Sequence, residues 1–338
     1  MGFLRKALKG LTLAVLLSGC AGSPTFLNPA SPVAHDVAGL YRIIVYMAAV
    51  VFVLVEGLLI YSIFRFRRRS DDRTEPPQSY GNPRLELIWT GTPVLLVATL
   101  FILTIRTMGA VAAPPAASTD IQLRIVGHQW WWEFDYPGLG VVTANELHLP
   151  AGAAVHATLD SVDVIHSFWI PQLSGKVDVI PGQTNTIWFQ SDQPGEYHGQ
   201  CAEFCGLNHA NMRIRAVVET PAEFEAWVSN QKLPPPPPEG PAEQKAFDLI
   251  THGICSNCHA LGQLPPPPPG QPEKTLVGPN LNHLMSRSVI AGATYELTPD
   301  NLKRWLQDTQ RMKPGNDMIV KISPDEIEAL MAYLTRLK

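Results

Sequence analysis

The pattern of apolar and polar positions divides the chain into segments of distinct character. Two long apolar runs, about Leu40–Phe64 and Leu87–Met108, are followed by short apolar runs between Pro and Gly residues. As helices rising ~1.5 Å per residue, the long runs would each cross ~30 Å of hydrocarbon. Arginines are concentrated between them, which is typical of a cytoplasmic loop. The pattern predicts a two-helix transmembrane hairpin over residues 40–110, with both ends facing outward.

The first residues have the pattern of a secretory signal. Basic residues precede the short apolar run Leu11–Leu17, which ends in Leu17-Ser18-Gly19-Cys20. This ending resembles the processing box of bacterial lipoproteins, so we expect residues 1–19 to be removed and Cys20 to be lipidated. Residues 20–39 would then form an extracytoplasmic segment. An ordinary signal peptide with an incidental cysteine is the alternative, and it also places the following chain outside the cytoplasm.

Residues 120–230 have the pattern of an all-β domain. The β-type runs are Ile121–Val126, Val155–Leu159, Thr186–Phe189 and Ile214–Val218, and Pro and Gly turns separate them. A β-sandwich or barrel is therefore predicted. The prolines of Pro234–Pro238 then indicate a stiff, extended linker within residues 231–240.

Residues 241–338 are typical of a small all-α domain. Helical patterns cover Glu243–His252, Asn301–Gln310 and Pro324–Leu337. The last begins with Pro-Asp-Glu, which suits a helix N-terminus. The predicted fold class is multidomain, with a transmembrane hairpin, an all-β domain and an all-α domain.

Charge narrows the choice of partners. The net charge is −4, and residues 120–232 hold five Lys or Arg against thirteen Asp or Glu. The chain thus offers no basic surface for nucleic acid, and its acidic middle domain would attract a cationic partner.

Glu56 in the first apolar run and Glu86 at the start of the second are costly in lipid, so we expect them to face protein or water.

The most informative chemistry lies in the stretch Cys201-Ala-Glu-Phe-Cys205-Gly-Leu-Asn-His209-Ala-Asn-Met212. It holds two thiols, an imidazole and a thioether, all ligand types that copper favours. His166, after a strand-like run, is the candidate for a second imidazole. Two bridging thiolates, two terminal imidazoles and weak axial donors would complete a binuclear copper site. A disulfide is the alternative in an oxidising compartment, but it requires neither His209 nor Met212.

These segments resemble subunit II of the haem-copper cytochrome c oxidases, whose CuA centre uses a C-x3-C-x3-H-x2-M loop and an upstream histidine. The resemblance covers Leu40 to about Glu219, and includes Leu85–Thr90, Gly127–Tyr136 and Lys176–Gly182. It implies a cupredoxin-like Greek-key barrel for residues 120–230. Quinol-oxidising relatives lack the copper ligands, so the complete set favours a cytochrome c type of donor. The implied metal ligands are the Cys201 and Cys205 bridges, terminal His166 and His209, and axial Met212 and the Glu203 carbonyl.

The same resemblance implies roles outside the copper ligands. The Glu203 side chain would reach a magnesium ion at the border with subunit I. Trp130 would be the point at which electrons enter, at a docking surface near Asp135 and Asp178, although a tryptophan in a strand more often only packs. Glu86 corresponds to an acid near the mouth of a proton-uptake path in the partner subunit.

A second cysteine pair, Cys255-Ser256-Asn257-Cys258-His259, is a C-x-x-C-H haem-attachment signature. Two thioethers would fix the porphyrin, and His259 would be an axial ligand. A redox dithiol would need a thioredoxin-like context and a zinc site a further Cys/His pair, and neither pattern is present. Gly278-Pro279-Asn280-Leu281 resembles the cytochrome c loop whose proline carbonyl accepts the N–H of the axial histidine.

The sixth haem ligand is expected downstream, where a thioether would raise the haem potential. Met318, in Lys313-Pro314-Gly315-Asn316-Asp317-Met318, resembles the methionine loop of class I cytochromes c, with Met312 as the competing candidate. Met285 is expected to pack, and Pro265–Pro269 are an uncommon insertion. The remaining histidines, expected to be structural or at the surface, are His35, His128, His148, His156, His198, His252 and His283.

Together these features predict subunit II of a terminal cytochrome c oxidase with a fused C-terminal cytochrome c domain, similar to the caa-type bacterial enzymes. Electrons from cytochrome c or another donor would pass through its haem c and CuA to subunit I of a proton-translocating complex that also contains subunit III. The protein would lie in the bacterial inner membrane, with both cofactor domains outside the cytoplasm. The short linker would keep those domains at ~mM local concentration.

Two other classes of protein remain as alternatives. The first is a free-standing membrane-anchored electron carrier that does not belong to an oxidase, but Glu56 and Glu203 favour a larger complex. A nitrous oxide reductase also carries CuA, yet that soluble enzyme has no place for the hairpin or the haem fusion.

Overall fold

The computed structural model describes residues 24–67, 78, 80–112, 118–262 and 276–338. The predicted signal peptide with Cys20, three arginines of the predicted cytoplasmic loop (Arg68, Arg69 and Arg73) and Pro265–Pro269 lie outside the described residues. The chain divides into two compact units. One contains the two apolar helices, and the other contains the β-rich and C-terminal domains.

The first unit consists of helices α1 (Pro32–Arg65) and α2 (Pro83–Ala112). Both are long and apolar enough to cross a membrane, and both extend beyond the predicted runs. Each begins with proline, whose missing N–H costs no hydrogen bond in a first turn. Glu56 of α1 lines a groove of about 440 Å³ between the helices, where the other lining side chains are apolar.

The β-rich domain contains ten strands in two five-stranded sheets. The sheet orders are β3-β2-β1-β5-β8 and β4-β10-β9-β6-β7. The β1–β5 and β4–β10 pairs are parallel, and the remaining pairs are antiparallel. The predicted all-β architecture is confirmed. The strands are β1 (Ser118–His128), β2 (Trp131–Tyr136), β3 (Val141–Ala144), β4 (Glu146–Pro150), β5 (Ala154–Ser161), β6 (His166–Trp169), β7 (Val177–Val179), β8 (Asn185–Phe189), β9 (Gly195–Cys201) and β10 (Arg213–Glu219).

An aromatic core fixes the two sheets. Trp132 and Phe134 of β2 meet Phe168 of β6 edge to face, with ring centroids 5.1 and 6.2 Å apart. All three side chains are fully buried. Phe168 also pairs with Cys201 at the end of β9, so the aromatic core lies next to this cysteine.

A helix not predicted from the sequence, α3 (Pro221–Gln231), follows β10. Thr220 and Glu223 cap its start reciprocally, and Phe224 and Val228 pack into the β core. The Thr-Pro-Ala-Glu sequence is a capping-box signal that the strand pattern obscured.

The C-terminal domain is helical, as predicted. Its helices are α4 (Gly240–Thr251), α5 (Pro299–Gln307), α6 (Thr309–Met312) and α7 (Pro324–Leu334), with a two-stranded ladder of β11 (Val289–Ile290) and β12 (Tyr295–Glu296). The helix predicted over Asn301–Gln310 is divided at Asp308, because the Asp308 side chain caps α6 by accepting from the Arg311 N–H. Phe247 of α4 packs on Tyr333 of α7, with centroids 5.9 Å apart.

The proline segment is not a free spacer. The Tyr333 hydroxyl donates to the Pro236 carbonyl at 2.8 Å, and Arg336 donates to the Pro237 carbonyl at 3.4 Å. His283 lies 2.9 Å from the Leu233 carbonyl through Nε2. The segment is therefore attached along its length to the helical domain.

Polar contacts hold the helical domain on the β domain. The buried carboxylate of Glu146, in β4, accepts from the backbone N–H and the hydroxyl of Ser288. Arg215 of β10 donates to the same hydroxyl at 2.8 Å and pairs with Glu296 at 2.6 Å. The two domains therefore form one compact unit, whereas the sequence predicted only tethering through the linker.

Candidate metal centre and haem site

Two segments of the β domain bring the predicted copper ligands together. His166 opens β6, and Cys201 ends the neighbouring strand β9. The loop from β9 to β10 then carries Cys205, His209 in a short 3-10 turn, and Met212. Antiparallel pairing of β6 with β9 thus places the upstream histidine beside the cysteine loop.

The donor atoms form a chain of near neighbours. Cys201 Sγ lies 3.8 Å from Cys205 Sγ and 3.9 Å from His166 Nδ1. Cys205 Sγ lies 3.6 Å from His209 Nδ1 and 3.9 Å from the Met212 sulfur. The Glu203 carbonyl is 3.2 Å from Cys201 Sγ, while its side chain is exposed. All the predicted ligands therefore lie in one cluster.

The two thiols are not joined. Both cysteines are free and buried. The hydrogen bond with the neighbouring Cys205 thiol lowers the pKa of Cys201 to about 3, and His166 adds to this effect. The same hydrogen bond raises the pKa of Cys205. A lowered pKa favours the thiolate form of Cys201, which is the form that binds metal. Buried thiol, imidazole and thioether donors at these distances fit copper.

Asp163, which sequence reasoning missed, orients His166. Its carboxylate lies 2.8 Å from His166 Nε2 and accepts from the Gln129 and Val164 N–H groups at 2.6 Å. Burial would raise the pKa of Asp163, but these hydrogen bonds lower it. An ionised Asp163 fixes the ring so that Nδ1 faces the sulfurs. A Cβ at Gly127 would lie 2.8 Å from the same ring, so glycine is needed there.

Trp130 contacts the metal-ligand loop but is not at an exposed surface. Its indole N–H donates to the Cys205 carbonyl at 2.9 Å, and its own carbonyl accepts from Lys313 of the helical domain at 2.8 Å. Only 9% of the residue is exposed. The prediction of an exposed docking surface at Trp130 and Asp135 is wrong, because the helical domain covers Trp130 and because Asp135 is buried. Asp178 is exposed.

The haem-attachment residues lie in one turn of the helical domain. Cys255 lies within the 3-10 turn Ile254–Asn257, Cys258 follows that turn, and both are partly buried. His259 Nδ1 lies 2.7 Å from the Pro279 carbonyl, the contact that the sequence predicted. Burial lowers the pKa of His259, so the ring is neutral and its Nε2 is the free donor.

A buried arginine supports the fit to haem. Arg287 donates to the carbonyls of Asn280 and Asn282, yet its Nε has no hydrogen-bond partner among the described residues. Burial lowers its pKa to about 10. A buried guanidinium needs an anionic partner, and a haem propionate supplies one. Sequence reasoning missed Arg287, because an isolated arginine carries no motif.

The two candidate methionines differ in their surroundings. Met312 is buried at the end of α6, and Met318 is half-buried in a loop. Asn316 and Thr309 hold the Met318 backbone, with hydrogen bonds of 2.8 Å to its N–H and 2.6 Å to its carbonyl. Met318 stays the predicted sixth ligand.

The histidines predicted to be structural include His148, whose ring stacks on that of Trp227 with centroids 4.2 Å apart.

Glu86 is exposed in the first turn of α2, so its predicted role at a proton path stays a prediction.

Comparison with known proteins covers all three parts of the chain. Residues 21–106 match the transmembrane domain and residues 139–220 the periplasmic domain of cytochrome c oxidase subunit II, and residues 245–338 match cytochrome c. Cytochrome c oxidase subunit 2 of Alkalihalophilus pseudofirmus is 33% identical over 334 residues, covering 96% of this chain and 95% of the relative.

Other similar proteins match shorter portions. Quinol oxidase subunit 2 of Bacillus anthracis is 32% identical over 255 residues, covering 72% of this chain and 84% of the relative. The solved periplasmic domain of subunit II of cytochrome oxidase (CoxB) of Bradyrhizobium japonicum is 32% identical and covers 36% of this chain and 97% of its own, with a TM-score of 0.34.

The fold and the two sites define a membrane-anchored electron-transfer protein with a cupredoxin-like domain and a haem-binding domain. The chain belongs to the cytochrome c oxidase subunit II family, and it carries a C-terminal cytochrome c domain. Copper and haem c are the cofactors that these domains imply, and the other subunits of a cytochrome c oxidase are its partners. The predicted subunit identity and fold class are confirmed.

Proposed function

We propose that this subunit accepts electrons from cytochrome c or another upstream donor at its haem domain and delivers them, through its copper centre, to oxygen-reducing subunit I. When bound, haem c and a pair of copper ions supply the one-electron carriers. The observation that carries the proposal is the convergence of thiol, imidazole and thioether donors at 3.6–3.9 Å in the same compact unit as a C-x-x-C-H turn.

The protein's part is to hold the two cofactors. Cys201, Cys205, His166 and His209 would hold the pair of copper ions through their thiolates and imidazoles. The Met212 thioether and the Glu203 carbonyl would be the weaker donors to the same ions.

In the haem domain, Cys255 and Cys258 would bind the porphyrin covalently. His259 would ligate the iron through Nε2, because the Pro279 carbonyl engages Nδ1. Met318 would supply the second protein ligand to the iron. The buried Arg287 would pair with a propionate.

The exposed side chain of Glu203 is free to take part in a magnesium site at the border with subunit I, and Glu86 would lie near the mouth of a proton-uptake path there. The two apolar helices would cross the bacterial inner membrane, with both cofactor domains outside the cytoplasm. Cys20 would be the lipidated first residue. Subunit III would complete the complex.

The test is metal analysis with optical and EPR spectra of the full chain purified in its complex. We expect twice as much copper as haem iron, an EPR signal delocalised over two coppers, and a haem c spectrum with methionine ligation. Active protein without copper, or with Cys201 and Cys205 oxidised together, would contradict the proposal.

A free-standing electron carrier is the second candidate. The groove with Glu56 at its wall favours a complex, because a carboxylate facing lipid is costly while one facing a partner helix is not. Co-purification with a large multispanning haem subunit is expected. A chain that is active on its own and never co-purifies would support the carrier instead.

A further inference from the structure

Trp130, in the turn between β1 and β2, and Trp131, the first residue of β2, point their indole N–H groups to different cofactor loops. Trp130 donates to the Cys205 carbonyl in the copper-ligand loop at 2.9 Å. Trp131 donates to the Val277 carbonyl in the haem domain at 3.1 Å. Only 6% of Trp131 is exposed, so its ring lies within the junction of the two domains.

The segment that Trp131 contacts is bonded directly to the haem-attachment motif. Val277 precedes Gly278, whose N–H donates to the Cys258 carbonyl at 2.9 Å. The next residue, Pro279, lies 2.7 Å from His259 Nδ1 through its carbonyl. The Val277 carbonyl that Trp131 holds is therefore one residue from the support of the second cysteine and two residues from the support of the axial histidine.

The methionine loop reaches the same turn from its other side. The Lys313 amine, at the start of the loop that leads to Met318, donates to the Trp130 carbonyl at 2.8 Å. The Lys313 side chain is buried. Asn208, within the copper-ligand loop, donates to the Pro314 carbonyl at 3.0 Å. The methionine loop and the segment that supports the haem-attachment turn thus both contact the tryptophan pair.

The junction is closely packed around these atoms. A Cβ at Gly292 would lie 2.6 Å from Lys313 Nζ and 2.9 Å from the Trp130 carbonyl oxygen. The Trp131 ring stacks on His128, with centroids 4.0 Å apart and planes 16° apart. Such stacking holds the indole in one orientation.

We propose that Trp131 is the positioning residue that fixes the haem domain on the copper domain for electron transfer, and that Trp130 and Trp131 together form the contact between the two cofactor loops. In this step one electron leaves the reduced haem iron, which becomes ferric, and the copper pair gains that electron. No atoms are exchanged. The inference rests on the proposed function and adds Trp131 and Lys313 to the residues that serve it.

The test compares Trp131→Phe with Trp227→Phe in the complete oxidase. Trp227 is a matched control, since its indole also stacks on a histidine: the ring centroids of Trp227 and His148 are 4.2 Å apart and their planes 11° apart. The other aromatic neighbours of Trp227 are Tyr136 and Phe224 of the β domain. Trp131→Phe removes one neutral hydrogen bond, so hydrogen exchange of the Gly278 amide should rise roughly fivefold. Trp227→Phe should leave that exchange unchanged.

The electron-transfer measurement separates positioning from general damage. Displacing the haem domain should slow internal transfer to copper by up to about 100-fold in Trp131→Phe. Reduction of the haem by an external donor should keep its rate, because the donor does not use the junction. Lys313→Met, which removes the contact from the other side, should slow the same internal step.

Each outcome decides between the two proposals. If wild-type protein loaded with both cofactors passes no electrons from haem to copper, the proposed function fails. If wild type transfers electrons and Trp131→Phe matches Trp227→Phe in both exchange and internal rate, only the role of Trp131 fails.

Discussion

The copper-type donors lie on paired strands and a long loop of the β domain, whereas the haem-attachment residues lie in one short turn of a small helical domain. In the first site the donor atoms are already neighbours, and a hydrogen-bonded carboxylate orients the ligand His166. In the second, the groups supporting the site include the buried Arg287, whose Nε has no hydrogen-bond partner among the described residues. The difference teaches that the β scaffold preforms its metal site, while the helical domain depends on its cofactor to satisfy buried charge.

The largest effect should follow loss of haem attachment. The double variant Cys255→Ala, Cys258→Ala would leave Arg287 buried without its anionic partner, which costs about 3–5 kcal/mol. We expect the helical domain to become sensitive to protease while the β domain stays resistant, as measured by limited proteolysis of the full chain. Ser256→Ala keeps both thiols and serves as the control. Equal protease resistance with and without haem would remove the contrast between the two sites.

Lys313 should make the stability of the helical side depend on pH. Burial lowers the pKa of Lys313 from 10.5 to about 7, so between these values the unfolded chain holds a proton that the folded chain lacks. Stability should therefore rise with pH from about 7 to about 10.5, by at most about 1.4 kcal/mol per pH unit. Urea unfolding at pH 7, 8 and 9 measures the slope.

The Lys313→Met variant keeps the length of the side chain and removes the titrating group. Its unfolding free energy should lack this rise, so the difference between wild type and variant isolates the amine. Parallel pH profiles would show that Lys313 does not titrate in the expected range.

On the copper side, Asp163→Asn should weaken metal binding without removing a ligand. Loss of the charge that orients His166 should lower copper affinity about 10–100-fold, as is typical for groups that hold a metal ligand. Competition with a copper chelator measures the change. Asp178→Asn, an exposed aspartate on β7, is the control and should bind copper as wild type does. Equal affinity in both variants would mean that the strand pairing alone orients His166.

The smallest effect on stability is expected from Cys205→Ser. The variant should bind no copper pair, yet its free energy of unfolding without metal should change by only about 1 kcal/mol, because sheet pairing and not the metal sets the loop position. Metal analysis measures the bound copper, and urea unfolding of the metal-free chain measures the free energy of unfolding. A loss of stability as large as that from haem removal would show that this site, too, is built by its cofactor.

Sequence reasoning worked best where a motif or a period is local. The two apolar helices, the ligand spacing from Cys201 to Met212 and the C-x-x-C-H turn follow from residues close in the chain. Prediction from the sequence was weaker where a strand pattern or a helical period concealed a capping residue. Helix α3 was missed behind a strand pattern, and Asp308 divides a segment that has continuous helical periodicity.

The sequence by itself determined the chemistry of this protein, because ligand types within twelve residues must meet in any loop short enough to hold them. Only the tertiary structure decided what surrounds that chemistry: the Asp163 partner of His166, the unpaired Arg287 Nε, and the burial of Trp130 beneath the helical domain. The Lys313 contact with Trp130 spans 183 residues. No periodicity reports such a pair, since strand pairing and domain docking alone bring the two residues together.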